Sequence, residues 1–126
     1  MKKPADRIKQ SQRESILYKE ISSLYAEKTV EDPELRDLFI TKVELTPDRR
    51  IAYIYFYTTH GEDYFKKRFQ HLILYKPSMR KAIAERMHSK FTPDLRFYFD
   101  RQMSKQIKIE QLLDTVKHDD SDPDSE

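Results

Sequence analysis

The chain has 126 residues, 37% of them charged and 37% hydrophobic, which is the size of one domain with a thin core. It contains no cysteine, which excludes disulfide bonds, thiolate metal sites and a cysteine nucleophile. Lys and Arg total 24 against 22 Asp and Glu, but five of the acids fall in residues 118–126, so residues 1–117 carry a net charge of +7. This basic body favours a polyanionic partner.

The first half of the chain predicts a helix followed by a β-hairpin. Residues 7–28 contain no Pro or Gly, which suits a helix that ends before Asp32-Pro33. Alternation predicts a strand over 41–45 that starts as early as Phe39, and residues 51–58 predict a second strand. Pro47 suits the second position of the turn between them. The apolar face of the first helix is expected to consist of Leu17, Ile21, Leu24 and Tyr25.

The segment 61–91 predicts two helices separated by a break at Lys76-Pro77-Ser78. Pro77 lacks an amide hydrogen and its ring clashes with the preceding turn, so we expect one helix to end there and another to begin. Residues 60–91 carry eight cations and three acids, a net charge of +5. The helix pair is therefore expected to be strongly basic.

The remainder predicts a third strand, a short helix and a tail. Pro93 ends the helix pair, residues 95–99 alternate as a strand, and residues 103–117 form a last helix. The acidic residues 118–126 are expected to be disordered, so the single domain covers 1–117. The predicted fold class is α+β, with a three-stranded sheet and helices on one face. The inner sheet face is expected to contain Ala52, Ile54, Phe56, Leu95, Phe97 and Phe99.

The predicted helix start at Pro77 suggests a phosphate-binding site. Free amide groups at a helix N-terminus attract anions, and cations lie within one turn of this start. The alternative is a helical hairpin whose charged residues only face water. The residues predicted to bind RNA are Lys67, Lys76, Pro77, Ser78, Arg80, Lys81, Arg86 and Lys90.

A second surface is predicted on the outer face of the sheet. Alternation places tyrosines opposite the core-facing residues of the second strand, and Arg96 and Tyr98 of the third strand join them. Such aromatics can stack single-stranded bases or bind a protein partner. Packing against one another or under the last helix is the more common role and the one we favour. The tyrosines of the second strand are Tyr53, Tyr55 and Tyr57.

The sequence offers no candidate catalytic residues, metal ligands or cofactor site. His60, His71, His88 and His118 lack ligand spacing, and no nucleophile elbow or glycine-rich phosphate loop is present. We therefore expect a protein that is not an enzyme. The rival hypothesis is an RNA-processing enzyme whose catalytic carboxylates belong to no recognisable motif. No apolar run is long enough to cross a bilayer and no secretory signal is visible, so a cytoplasmic protein is expected.

Several short segments stand out by their order and spacing: Lys19-Glu20-Ile21, Asp32-Pro33-Glu34-Leu35, residues 41–53, Arg80–Met87 and residues 92–100. Together they resemble the bacterial ribosome-binding factor A family over roughly residues 5–117. The predicted element order resembles the type II KH architecture, α-β-β-α-α-β. The usual G-x-x-G loop of KH domains is impossible with Gly61 as the single glycine. The family's Ala-x-Gly kink corresponds to Tyr75–Ser78 here.

The resemblance implies a non-enzymatic assembly factor of the small ribosomal subunit. Such proteins bind the immature 30S subunit near the 5′-end helix of 16S rRNA and support late rRNA maturation, especially in the cold. The expected partners are thus 16S rRNA and the free 30S subunit, and the chain is expected to act as a monomer.

Overall fold

The computed structural model describes residues 4–87 and 92–125, with side chains described for 9–87 and 92–114. In these residues the chain forms three α-helices around one three-stranded sheet. The elements follow in the order α1 (Pro4–Glu31), a short 3-10 helix (Pro33–Leu35), β1 (Phe39–Leu45), β2 (Ile51–Tyr57), α2 (Glu62–Met87), β3 (Asp94–Phe99) and α3 (Arg101–Ser125).

The sheet has the strand order β1-β2-β3. Strands β1 and β2 form the predicted antiparallel hairpin, whose turn is closed by a hydrogen bond from the Arg49 amide to the Thr46 carbonyl at 2.8 Å. Strand β3 pairs in parallel with β2, because α2 carries the chain back across the sheet. The three strands thus leave one face for the helices and one face open.

The core lies between the sheet and the two helices α1 and α2. The four apolar residues predicted for the first helix are buried, and so are Ala52, Ile54 and Phe56 of the inner sheet face. On β3, Leu95 and Phe97 are buried and Phe99 packs against them half-buried. The predicted α+β class, with helices on one face of a three-stranded sheet, is therefore confirmed, and the arrangement is consistent with a KH-like fold.

The predicted break at Lys76-Pro77-Ser78 is wrong. Helix α2 runs without interruption from Glu62 to Met87 with Pro77 inside it. A proline in a helix interior costs about 3 kcal/mol. Burial of Leu72 before it and Met79 after it stabilises the helix by about 1.5–3 kcal/mol for each side chain, which offsets that cost. Tertiary packing on both sides of Pro77 thus outweighs the local preference for a break.

Helix α3 is fixed to the sheet at its first turn. The buried Asp100 donates its amide to the Phe56 carbonyl at 2.7 Å, and its carboxylate accepts from the Met103 amide at 2.9 Å and from Thr41 Oγ1 at 2.6 Å. This is a helix N-cap tied to two strands. The backbone of α3 is helical to Ser125, well into the segment predicted as a disordered tail. The domain boundary at residue 117 stays a prediction.

Candidate nucleic-acid interface

Two of the cations predicted to bind RNA fasten α2 to the start of β3. Lys76 Nζ lies 2.9 Å from Asp94 Oδ1. The guanidinium of Arg80 donates from Nε to the Pro93 carbonyl at 3.1 Å and from Nη2 to the Thr92 carbonyl at 3.3 Å. The hydrogen bond from Lys76 lowers the pKa of the Asp94 carboxyl. These side chains satisfy partners within the fold, so they are not directed at a common anion.

A third predicted cation, Arg86, joins α2 to α1. Its Nη1 lies 3.3 Å from Glu20 Oε2 and its Nη2 lies 3.2 Å from Glu27 Oε1. The hydroxyl of Ser78 donates to the Tyr75 carbonyl at 2.9 Å, within the same helix. Arg86 and Ser78 therefore also have intramolecular roles.

The continuity of α2 removes the backbone part of the predicted phosphate site. Unpaired amide groups belong to the first turn of a helix, and Pro77 lies in the interior of α2, where amides bond to carbonyls four residues earlier. Lys90 lies outside the described residues. The convergence of free amides and cations at Pro77, expected from the sequence, is thus corrected by the structure.

The outer face of α2 presents a different cationic surface. Lys67 and Lys81 are exposed and make no hydrogen bond or ion pair within the part of the chain that the structure describes. They share one face because 14 positions are close to four helical turns, about 21 Å along the axis. Between them lie exposed Gln70, Leu74 and Ser78. We call the stripe formed by Lys67, Gln70, Leu74, Ser78 and Lys81 the outer stripe of α2.

Gln70 and Leu74 are members of this surface that were not predicted from the sequence. Leu74 is 75% exposed although it lies in the middle of an apolar run, and it is surrounded by polar residues of the outer stripe. The spacing of three and four residues from Lys67 to Lys81 could have found the stripe. The spacing is continuous only if α2 is one helix, and the predicted break at Pro77 divides the stripe between two helices.

The inner side of the same helix is held by a buried carboxylate. Asp32 caps the 3-10 helix by accepting from the Glu34 amide at 3.0 Å, and it also accepts from the Tyr75 hydroxyl at 2.8 Å. The His71 ring contacts the same carboxylate oxygen. Burial alone would raise the pKa of Asp32, but the hydrogen bonds from Tyr75, His71 and Glu34 outweigh it and lower the pKa. Asp32 thus links the end of α1 to the middle of α2.

The tyrosines of the open sheet face pack against one another, as favoured from the sequence. The ring centroid of Tyr98 lies 5.6 Å from that of Tyr53 and 6.1 Å from that of Tyr55. The ammonium of Lys42 lies 4.6 Å from the Tyr55 ring centroid. Tyr98 is still 44% exposed, so α3 does not cover this cluster.

Fold and surface together define an α+β protein with a KH-like sheet, two backing helices and a lysine-bearing helix face. The model of the family described as Ribosome-binding factor A matches residues 9–113. A ribosome-binding factor A from Thermodesulfovibrio yellowstonii is 33% identical over 109 residues, which cover 86% of this chain and 92% of that protein. One from Citrifermentans bemidjiense is 36% identical over 101 residues, which cover 79% of this chain and 83% of that protein. The chain therefore belongs to the ribosome-binding factor A family.

A solved structure shares the fold. The crystal structure of ribosome-binding factor A from Thermus thermophilus superposes with a TM-score of 0.62 over 73% of this chain and 96% of that chain, at 22% identity. At this identity the likeness concerns the fold alone. Within the described residues, no helix has the length and apolar character needed to cross a bilayer.

Proposed function

We propose that this protein is a ribosome assembly factor that binds the immature 30S subunit and 16S rRNA near the 5′-end helix and supports late rRNA maturation. Membership of the ribosome-binding factor A family supports the ribosome as the target. The net charge of +7 on residues 1–117 supports contact with rRNA, because phosphate groups dominate affinity for nucleic acid. The protein acts in the cytoplasm, as a monomer and without catalysis.

The observation that carries the RNA contact is the outer stripe of α2. Its two lysines are exposed and unpaired within the described part of the chain, whereas Lys76, Arg80 and Arg86 are held by partners in the fold. Lysine is a mobile point charge that suits phosphate contacts without base recognition. Lys67 and Lys81 thus contact the rRNA backbone, and the tethered cations hold the helix that presents them.

The test is the double substitution Lys67→Glu with Lys81→Glu. Binding to a 16S rRNA fragment that contains the 5′-end helix is measured by fluorescence anisotropy at several salt concentrations. Each lost phosphate contact is expected to flatten the salt slope by roughly 0.7–0.9. The thermal unfolding midpoint should stay nearly constant, because neither side chain has a partner in the described fold.

The matched control is Lys19→Glu with Lys108→Glu, which changes the net charge equally at two exposed lysines on α1 and α3. It should keep most of the affinity and the salt slope. Equal losses of affinity in both double variants would mean that net charge alone governs binding, and an unaffected Lys67/Lys81 variant would remove the outer stripe from the interface.

A separate experiment tests the ribosomal target. The wild-type protein is expected to co-sediment with free small subunits but not with complete ribosomes.

A further inference from the structure

The tyrosines of this chain divide into two groups by what their hydroxyls do. Tyr18, Tyr25, Tyr64 and Tyr75 each donate a hydrogen bond to an acceptor within the fold. On the open sheet face, by contrast, no tyrosine hydroxyl makes a hydrogen bond within the described residues. Tyrosine hydroxyls usually find a partner where the ring is buried. The hydroxyls of Tyr53, Tyr55, Tyr57 and Tyr98 are therefore available to a ligand.

The open sheet face also lacks the aliphatic side chains of a hydrophobic docking surface. Apart from Ile51, its outward residues on β2 and β3 are tyrosines and charged residues. The charges are paired, since Lys42 Nζ lies 3.2 Å from Glu44 and Arg96 Nε lies 3.6 Å from Asp94. Such a face offers aromatic rings and hydrogen-bonding groups with little net charge.

A groove of about 590 Å³ borders this face. The open face contributes Tyr53, Tyr55, Tyr98 and Lys42 to its lining. The rest of the lining comes from α2, from core-facing positions of β3 and from the start of α3: Glu62, Phe65, Lys66, Phe97, Phe99, Asp100, Arg101 and Gln102. This volume falls within the range of about 300–1,000 Å³ that is typical of sites for small organic ligands. Tyr98 is one of these lining residues, and its ring centroid lies 5.6 Å from that of Tyr53 and 6.1 Å from that of Tyr55.

We propose that unpaired RNA bases stack on Tyr98 at the open sheet face, with the free tyrosine hydroxyls and the Gln102 amide bonding to base edges. This inference deepens the proposed function, on which it rests: the outer stripe of α2 contacts phosphates, while the sheet face receives bases. Base stacking on aromatic rings tolerates any sequence and needs no net charge. The target of the protein then includes single-stranded rRNA and not only duplex.

RNA fits the face better than a protein partner does. A protein interface of standard size has an apolar, well-packed centre with few charged residues. Here charged pairs flank the ring cluster on two sides. The exposed aliphatic residues Ile109, Leu112 and Leu113 lie on α3, and the exposed apolar residue of β1, Phe39, pairs with Tyr57 and adds another aromatic ring. Stacked bases need one exposed ring and nearby polar groups, which is what Tyr98 and its neighbours provide.

The experiment uses an eight-nucleotide single-stranded RNA with a central 2-aminopurine, and the same strand annealed to its complement. The full-length protein should quench the 2-aminopurine of the single strand. Tyr98→Ala is expected to weaken single-strand binding by roughly 5- to 150-fold, the loss of one stacked base. Tyr98→Phe keeps the ring and should bind within about threefold of the wild type. Tyr18→Ala, at an exposed tyrosine on α1, should leave the single-strand affinity unchanged.

Equal binding of the single strand by wild type and Tyr98→Ala would overturn the proposal, and so would an equal loss on single strand and duplex. Weakened association of Tyr98→Ala with the small subunit, at unchanged oligonucleotide affinity, would assign the face to a protein partner instead. The ratio of the single-strand affinities of wild type and Tyr98→Ala should be the same at low and high salt. The Lys67/Lys81 variant instead changes the salt slope, so failure of the phosphate surface is distinguishable from failure of the stacking surface.

Discussion

The two sides of α2 carry similar charges but use them differently. On the side that meets the rest of the fold, Lys76, Arg80 and Arg86 are held by Asp94, by backbone carbonyls and by acids of α1. On the outer side, Lys67 and Lys81 have no partner in the described residues. The count of cations in a basic segment therefore overstates the number available to a nucleic acid.

The arginines and the lysines of α2 also differ in the contacts that they make. Arg68, Arg80 and Arg86 each reach two acceptors, which suits the rigid, forked guanidinium group. Arg68 further stacks on the Tyr64 ring, with 3.5 Å between Cζ and the ring centroid. The arginines of α2 thus join elements of the fold, while two of its lysines point to solvent. Substitutions on the two sides of the helix should separate stability from RNA affinity.

On the side of α2 that meets the rest of the fold, which we call the anchored side, the largest expected effect on stability comes from Asp32→Ala. It removes the acceptor of the Tyr75, His71 and Glu34 hydrogen bonds, so the free energy of unfolding should fall by about 2–4 kcal/mol, measured by urea denaturation. The matched control is Asp37→Ala, at an exposed aspartate that also contacts a histidine and a tyrosine. It should cost less than about 1 kcal/mol. Similar losses in both variants would contradict the role of Asp32.

Low pH should weaken the contacts that the Asp32 carboxylate makes with α2. The pKa of Asp32 is lower in the folded state than in the unfolded chain, and so is that of Asp94. Groups of this kind stabilise the fold above the unfolded pKa of about 3.9, and the stabilisation disappears as pH falls through the folded value. We expect a constant contribution between pH 7 and pH 5 and a decline below about pH 4. In Asp32→Asn the acid decline should be shallower, which urea titrations at each pH would reveal.

Arg80→Met is expected to have an intermediate effect. Methionine keeps much of the aliphatic stem but leaves the Thr92 and Pro93 carbonyls without their donor, so unfolding should become easier by about 1–3 kcal/mol. The neighbouring Lys81→Met is the control and should change stability by less than about 0.5 kcal/mol. If Arg80→Met instead lowers RNA affinity at unchanged stability, Arg80 belongs to the interface and not to the anchored side.

Pro77→Ala is expected to raise stability, and the sign of its effect distinguishes a continuous helix from a broken one. In a continuous helix alanine restores an amide donor. Of the roughly 3 kcal/mol that a proline costs in a helix interior, about 0.4–1 kcal/mol is offset by the entropy that proline removes from the unfolded chain, so the net gain should be about 2 kcal/mol. At the first position of a new helix the same change would be neutral or destabilising. Pro47→Ala, in the hairpin turn, is the control and should lower stability slightly. The midpoint of thermal unfolding reports the sign directly.

Much of the fold could be predicted because periodicity reports which side of an element is buried. The spacing of Leu17 and Ile21 identified the inner face of α1, and alternation identified Ile54 and Phe56 on β2. The break predicted at Pro77 is wrong because the local preference of proline is only one of the energies that decide the helix. The cost of the proline is fixed by the backbone, whereas the burial of Leu72 and Met79 that offsets it depends on where α1 and the sheet lie.

By itself the sequence determined the order of the helices and strands apart from the break assigned at Pro77, much of the core and the basic character of the body, since these follow from local spacing and charge. Only the tertiary structure decided which cations are free. The acceptors of Arg86 lie 66 and 59 residues away, and those of Arg80 are backbone carbonyls without any sequence signature. A side chain's availability to RNA depends on the partners that folding brings within hydrogen-bonding distance, and no local pattern contains that information.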